Sequence, residues 1–238
     1  MRLWIFLITS LLLALPSAAQ QPGDVIASYS SKAEEQQLAG RYFTQQPLPD
    51  AVFSRMLGKS FPKNCTVRRS DLRYLLVLHR NAEGQTQVGE LVCNKSIAVD
   101  LLYIFRKLYD ADYRIGRMVL IDNYGADDER SMTANNTSCF NFRFATGSTT
   151  RVSKHGRGLA IDLNPLYNPY VKGNKISPAA GKAYAYNRSA VSTTKTDNRN
   201  KSSMIIRRGD LCWQLFHARG FRWGGSWSSL KDYQHFEK

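Results

Sequence analysis

The chain has 238 residues, room for one domain of ordinary size with extensions. It carries 33 Lys and Arg against 19 Asp and Glu, a formal charge of +14, so its surface favours polyanions. Neither zinc-finger cysteine spacing nor an aromatic–basic RNA motif accompanies that charge, which argues against nucleic acid as the partner. Anionic cell-envelope polymers remain as the expected polyanions.

In chain order, Arg2 precedes an apolar run from Leu3 to Leu15 and the small residues Ser17-Ala18-Ala19. This reads as a signal peptide over residues 1–19, and the protein is expected to be exported, periplasmic or extracellular. No later run approaches the length of a membrane span, so a soluble monomer is expected. Residues 20–60 read as an N-terminal arm, polar and Gln-rich at its start and loosely attached.

Arg73 to His79, the turn Asn81-Ala82-Glu83-Gly84, and Gln85 to Cys93 predict strand, turn and strand. Ser96 to Asp112 places Ile97, Leu101, Ile104, Phe105 and Leu108 at helical spacing, with Ser96 as the expected N-cap. Met118 to Ile121 reads as a short buried strand. Cys65, Cys93, Cys139 and Cys212 all lie in the part expected to be exported, where disulfides persist. Cys65 and Cys93 bracket the hairpin region and are a candidate pair; small buried thiols are the alternative.

Ser153 to Asp162 holds His155 and Asp162 around Gly156 and Gly158, which suggests a sharp turn after His155 followed by a short strand, Leu159 to Leu163, ended by Asn164-Pro165. Tyr167 to Gly209 is polar, with nine basic residues and one acid, Asp197. Leaving after one motif and returning before the other, this loop is expected to border the site. Asp210 to Arg219 predicts a helix closed by Gly220. A strand around Phe221 to Trp223, a Gly224-Gly225 turn and a return through Asp232 to Phe236 complete the chain. His79, His217, Trp223 and Trp227 read as packing residues. The sum is an α+β fold, one domain with a small antiparallel sheet flanked by helices.

Two of the four histidines sit in these motifs. His155, Asp162 and His235 can supply two imidazoles and a carboxylate to one metal and leave a position for water, as catalytic zinc sites require. Fe(II) suits the same ligand types, but six residues separate His155 from Asp162, unlike the close pair of the facial triad.

The pattern Ser153-x-His155-x-x-Gly158-x-Ala160-x-Asp162, with Asp232-x-x-His235-Phe236 near the end, resembles the zinc D-Ala-D-Ala carboxypeptidases, dipeptidases and L-alanyl-D-glutamate endopeptidases that cut peptidoglycan stem peptides. Gly156-Arg157 departs from the Ala–aromatic pair common there. The tail Trp223-Gly-Gly-x-Trp227 with Asp232 is most similar to the endopeptidase branch. Asn136 to Arg143 resembles the segment that contributes an arginine to the site. The resemblance implies a zinc peptidase domain over 61–238, with His155, Asp162 and His235 as Zn²⁺ ligands and the zinc site on the sheet. It implies Asp232 as the general base, Arg143 as stabiliser of the oxyanion or grip on a substrate carboxylate, and Ser153 as a substrate-binding or supporting donor. The implied activity is L-Ala–D-Glu endopeptidase. The alternatives are a D-Ala-D-Ala carboxypeptidase and a non-catalytic, zinc-containing wall-binding protein.

Overall fold

The computed structural model describes residues 21–26, 32–186, 188 and 204–238. The signal peptide expected at 1–19 and the middle of the basic loop, including Lys195, Asp197, Arg199 and Lys201, lie outside them. Among the described residues no helix is long and apolar enough to cross a membrane.

The hairpin forms as the sequence predicts. Strands β2 (Leu72–Arg80) and β3 (Thr86–Asn94) pair antiparallel from Leu72↔Asn94 to Arg80↔Thr86. Asn81 closes the turn, its Oδ1 accepting the N–H groups of Glu83 and Gln85. Both faces of the hairpin are covered, which explains its continuous rather than alternating apolar run. Leu75, Val77, Leu91 and Cys93 face one apolar cluster, while Leu72, Tyr74 and Val92 face another.

The first cluster is completed by α3 (Ala98–Asp110), whose Ile97, Leu101, Ile104, Phe105 and Leu108 stripe is buried. The expected cap is not there. Ile97 occupies the N-cap position without a side-chain bond, and the hydroxyl and N–H of Ser96 both donate to Asn94 Oδ1. A cap is worth about 0.5–2 kcal/mol, whereas each fully buried large apolar side chain contributes about 1.5–3 kcal/mol. The stripe fixes this helix.

The second cluster corrects the reading of residues 20–60 as a loose arm. After α1 (Lys32–Ala39), strand β1 (Thr44–Pro47) pairs with β2, and α2 (Asp50–Met56) buries Val52 and Met56 on the sheet. Arg55 on α2 reaches the fully buried Glu90 through two bonds of 2.6 and 3.0 Å, and Tyr74 donates to the same carboxylate. A buried carboxylate needs such partners, so α2 is integral to the fold.

Met118 to Ile121 is buried, as expected, but is not a strand; Ile121–Tyr124 turns as a 3-10 helix. Side chains replace the missing ladder. Asn136 bonds both the N–H and the C=O of Val119, and Glu90 Oε1 accepts from Leu120. The candidate Cys65–Cys93 bridge is not formed, and all four thiols are free. Cys93 lies in the cluster under α3, while Cys65 packs against the one on the opposite sheet face.

The remaining strands form two further three-stranded antiparallel sheets. In one, β4 (Ala160–Asp162), β9 (His235–Glu237) and β7 (Arg222–Trp223) lie in the order β4-β9-β7. In the other, β5 (Tyr170–Lys172) lies between β6 (Lys175–Ser177) and β8 (Lys231–Asp232). A short helix, α4 (Asp128–Thr133), precedes them. The last helix, α5 (Leu211–Ala218), starts on Asp210, whose carboxylate accepts the N–H of Trp213. Gly220 ends it in the left-handed region, with Phe221 N–H reaching Phe216 O and Gly220 N–H reaching His217 O. That is the Schellman pattern, and the sequence reading of this helix holds.

His79 is fully buried with Nδ1 against Ile115 O at 2.9 Å, and burial pulls its pKa down to about 4. Below about pH 6.5 the unfolded chain takes up a proton there that the folded one does not. Stability is therefore full above that pH and falls toward pH 4, by up to about 3 kcal/mol. In metal-free protein, His79→Asn should flatten the difference between urea unfolding at pH 7.5 and pH 5; an unchanged difference would refute the assignment.

Candidate metal centre and active-site cleft

His155 opens a 3-10 turn, His155–Arg157, that ends at Gly158 with φ +68°. Ser153 sets the turn, its Oγ accepting the Gly156 N–H at 2.9 Å. Gly158 is required for two reasons. Its backbone is left-handed, and a Cβ there would sit 2.7 Å from the Asn94 nitrogen, which donates to Gly158 O. Gly158→Ala is expected to cost at least about 1–2 kcal/mol from backbone conformation alone and to shift His155. A lower melting temperature together with weaker divalent-ion binding in titration is the expected result.

Asp162 on β4 and His235 on β9 are direct cross-strand partners. The three side chains converge. His155 Nε2 lies 3.2 Å from Asp162 Oδ2 and 3.2 Å from His235 Nδ1, which is 3.1 Å from Asp162 Oδ1. A tetrahedral ion with bonds of about 2.0–2.1 Å holds its ligand atoms about 3.3–3.4 Å apart. The triad fits such an ion with little movement.

The other ring nitrogens are also held. His155 Nδ1 donates to Cys139 O at 2.7 Å, which leaves Nε2 free as a ligand. His235 Nε2 faces Glu237 Oε2 at 3.4 Å, and Arg222 grips the other oxygen of that carboxylate at 2.5 Å. Hydrogen bonding to His235 is the main cause that holds Glu237 down to about 2. Glu237 is not among the site residues predicted from the sequence. The signal that could have found this role is its position two residues after His235, which on a strand places both on one face.

The charged groups of the site act strongly on one another. Burial would lower His235, but its hydrogen bonds to Asp162 and Glu237 and the charge of Asp232 raise it to about 10. Burial would raise Asp162, yet the two histidines hold it far below the carboxylate range. Asp232 is pushed up to about 7, first by burial and then by the charge of Asp162; His235 and Arg143 oppose this. A buried carboxylate with a raised pKa in a cleft is the kind of group suited to proton transfer near neutral pH. Asp232 Oδ1 is buried and without a hydrogen-bond partner among the described residues.

The cleft over the triad has a volume of about 430 Å³ and brings together all the sequence-predicted site residues: Ser153, His155, Asp162, Asp232, His235 and Arg143. Arg143 is half-exposed and lies 3.3 Å from the Asp128 carboxylate on α4, a partner that can orient it. Trp227, expected as packing, instead stands in the cleft wall 5.3 Å from the His235 ring. Trp223 is in the core as expected.

The described first part of the basic loop borders the site, because β5 pairs with β8 and Tyr170 opposes Asp232. Arg188, one of the loop's arginines, has a role not foreseen. It stacks 3.8 Å over the Tyr233 ring and donates to Asn168 Oδ1 and Ile206 O, joining both flanks of the loop beside the strand that carries Asp232.

No curated protein and no solved structure matches the chain. A family model described as D-alanyl-D-alanine carboxypeptidase matches residues 146–238, a stretch that contains Ser153, the three converging ligands and Asp232 and begins just after Arg143. By that match the C-terminal part of the chain, residues 146–238, is similar to the D-alanyl-D-alanine carboxypeptidases.

Proposed function

We propose that this protein is an exported zinc peptidase that hydrolyses peptidoglycan stem peptides, cutting between L-Ala and a D-configured acidic residue. One observation carries the reading: two imidazoles and one carboxylate converge at metal-ligand distances beside Asp232, whose buried Oδ1 has no other partner. A pure binding protein has no use for that group.

Zinc, when bound, supplies Lewis acidity and brings its water to a pKa of about 7. His155, Asp162 and His235 hold it, with Cys139 O and Glu237 fixing the imidazoles. Asp232 takes the proton from the attacking water and returns it to the leaving amine, a role typically worth about 10²–10⁴-fold in rate. Arg143 offers a planar, permanently charged fork for the oxyanion or for a substrate carboxylate. Ser153, already bonded to the Gly156 N–H, keeps His155 in place.

Two features support an internal bond and an acidic substrate. The cleft is lined by Arg143, Arg151, Lys154, Arg157 and Arg222, which suits carboxylated peptides. It also adjoins two further grooves, sharing Arg157 and Val152 with one and Trp227 and Arg222 with another, aromatic one. An enzyme that trims one terminal residue needs a closed end. The second reading, release of terminal D-Ala, is favoured by the description of the matched family. Digestion of purified peptidoglycan by zinc-loaded protein, with products identified by mass spectrometry, separates them. New L-Ala carboxyl ends and D-Glu amino ends are expected; release of D-Ala alone would transfer the protein to the carboxypeptidase branch.

A further inference from the structure

The aromatic groove has a volume of about 420 Å³, in the range of small-ligand sites. Its walls carry Trp213, Trp223 and Trp227, and its rim Arg208, His217 and Arg222. No carboxylate lines it. Trp213 stacks on His217 at 4.6 Å with the rings 14° apart, and Arg208 stands 5.9 Å from the Trp213 ring. The groove adjoins the metal cleft, for Trp227 and Arg222 line both, and Arg222 is fastened there by Glu237.

We propose that this groove is a glycan subsite, which holds the amino sugar that bears the stem peptide while the neighbouring bond is cut. The inference rests on the peptidase reading above and names the part of the substrate that the metal cleft does not explain. A pyranose presents an apolar C–H face and a rim of hydroxyl and acetamido oxygens. Indole walls match the face, and guanidinium and imidazole donors match the rim. In peptidoglycan, L-Ala is the first stem residue, joined by an amide bond to the lactyl carboxyl group of the sugar. A scissile bond on the carboxyl side of L-Ala therefore places the sugar one residue from the metal, in the adjoining groove. The carboxylated remainder of the stem leaves past Arg157, which lines both the metal cleft and a third groove.

The test uses full-length, zinc-loaded protein with two probes: peptide-free glycan strands, and L-Ala–D-Glu stem peptides presented free or attached to strands. Calorimetry should show strand binding by the Asp232→Asn protein, which cannot turn over. Adding Trp213→Ala should weaken that binding at least about tenfold, or about 1.4 kcal/mol. In the active enzyme, attached stems should be cut with a kcat/KM at least about tenfold above free ones, the same energy realised in the transition state. Trp213→Ala should remove that advantage and leave free-peptide turnover as it was. Trp213 is partly buried, so Arg208→Ala and His217→Ala on the exposed rim serve as second variants if its melting temperature falls. No binding of glycan strands, equal cleavage of free and attached stems, or an advantage untouched by all three variants overturns the subsite. Failure to cut any stem peptide in either form overturns the peptidase reading instead, and strand binding with its dependence on Trp213 still decides the groove.

Discussion

Asp232→Asn should lower turnover at least about 10²-fold, the smaller end of what a positioned base contributes, while the protein still holds stoichiometric zinc. The substitution is nearly isosteric, and Asp232 stands apart from the three groups that converge on the metal position. Substrate affinity should change much less than turnover, because the lost proton transfer matters mainly in the transition state. The fold should not suffer. A carboxyl whose folded pKa is raised to about 7 by burial destabilises the folded state as pH rises from its unfolded value through 7. Asparagine removes that penalty, so metal-free Asp232→Asn should melt at or above the wild-type temperature at pH 8. Loss of zinc in this variant would make Asp232 a ligand. Full activity would move the base elsewhere, although Glu237, held by His235 and Arg222, is poorly placed to be it.

Replacing His155, Asp162 or His235 with Ala should remove the metal and abolish hydrolysis. Each supplies one of three mutually close ligand atoms, and no other His, Cys, Asp or Glu among the described residues joins that group. Metal analysis should show substoichiometric zinc for all three variants, and peptidoglycan digestion should give no products above background. Glu237→Gln is the informative contrast. It touches a ligand without being one, so zinc should still bind, about 10–100-fold more weakly, as for other partners of metal-bound histidines. A ligand variant that kept both zinc and turnover would falsify the triad.

The two motifs that supply the candidate site were legible because each is local in sequence, although 73 residues separate Asp162 from His235. Ser153, His155, Gly158 and Asp162 lie within one turn and one short strand, so residue type and spacing together carry the geometry. The hairpin, α3 and α5 were legible because apolar spacing, Asn81 and Gly220 each have one structural meaning in those contexts. What escaped depends on distant partners. The docking of β1 and α2 rests on Arg55 meeting Glu90, separated by 35 residues, and nothing near Arg55 announces it. Met118 to Ile121 has strand-like composition, yet Asn136 and Glu90 side chains meet its backbone where a neighbouring strand was expected. The β5–β6 hairpin was hidden by the polar composition around it. Its signal was Gly173-Asn174 between Tyr170-Val-Lys and Lys175-Ile-Ser, a two-residue turn with Gly173 at φ +55°.

The pairing of Asp162 with His235 across β4 and β9 has a consequence for how the molecule responds to its surroundings. That ladder is only three residues long on each strand, too short to be secure by its own hydrogen bonds. An ion bridging two directly opposed residues acts as a staple at one end of it. The free energy that holds β9 in place then grows with the logarithm of free zinc, by about 1.4 kcal/mol for each tenfold rise above the dissociation constant. On the proposed zinc-peptidase reading, metal supply would set local order as well as catalysis, and amide exchange at Phe236, in the strand between β4 and β7, should slow as free zinc rises.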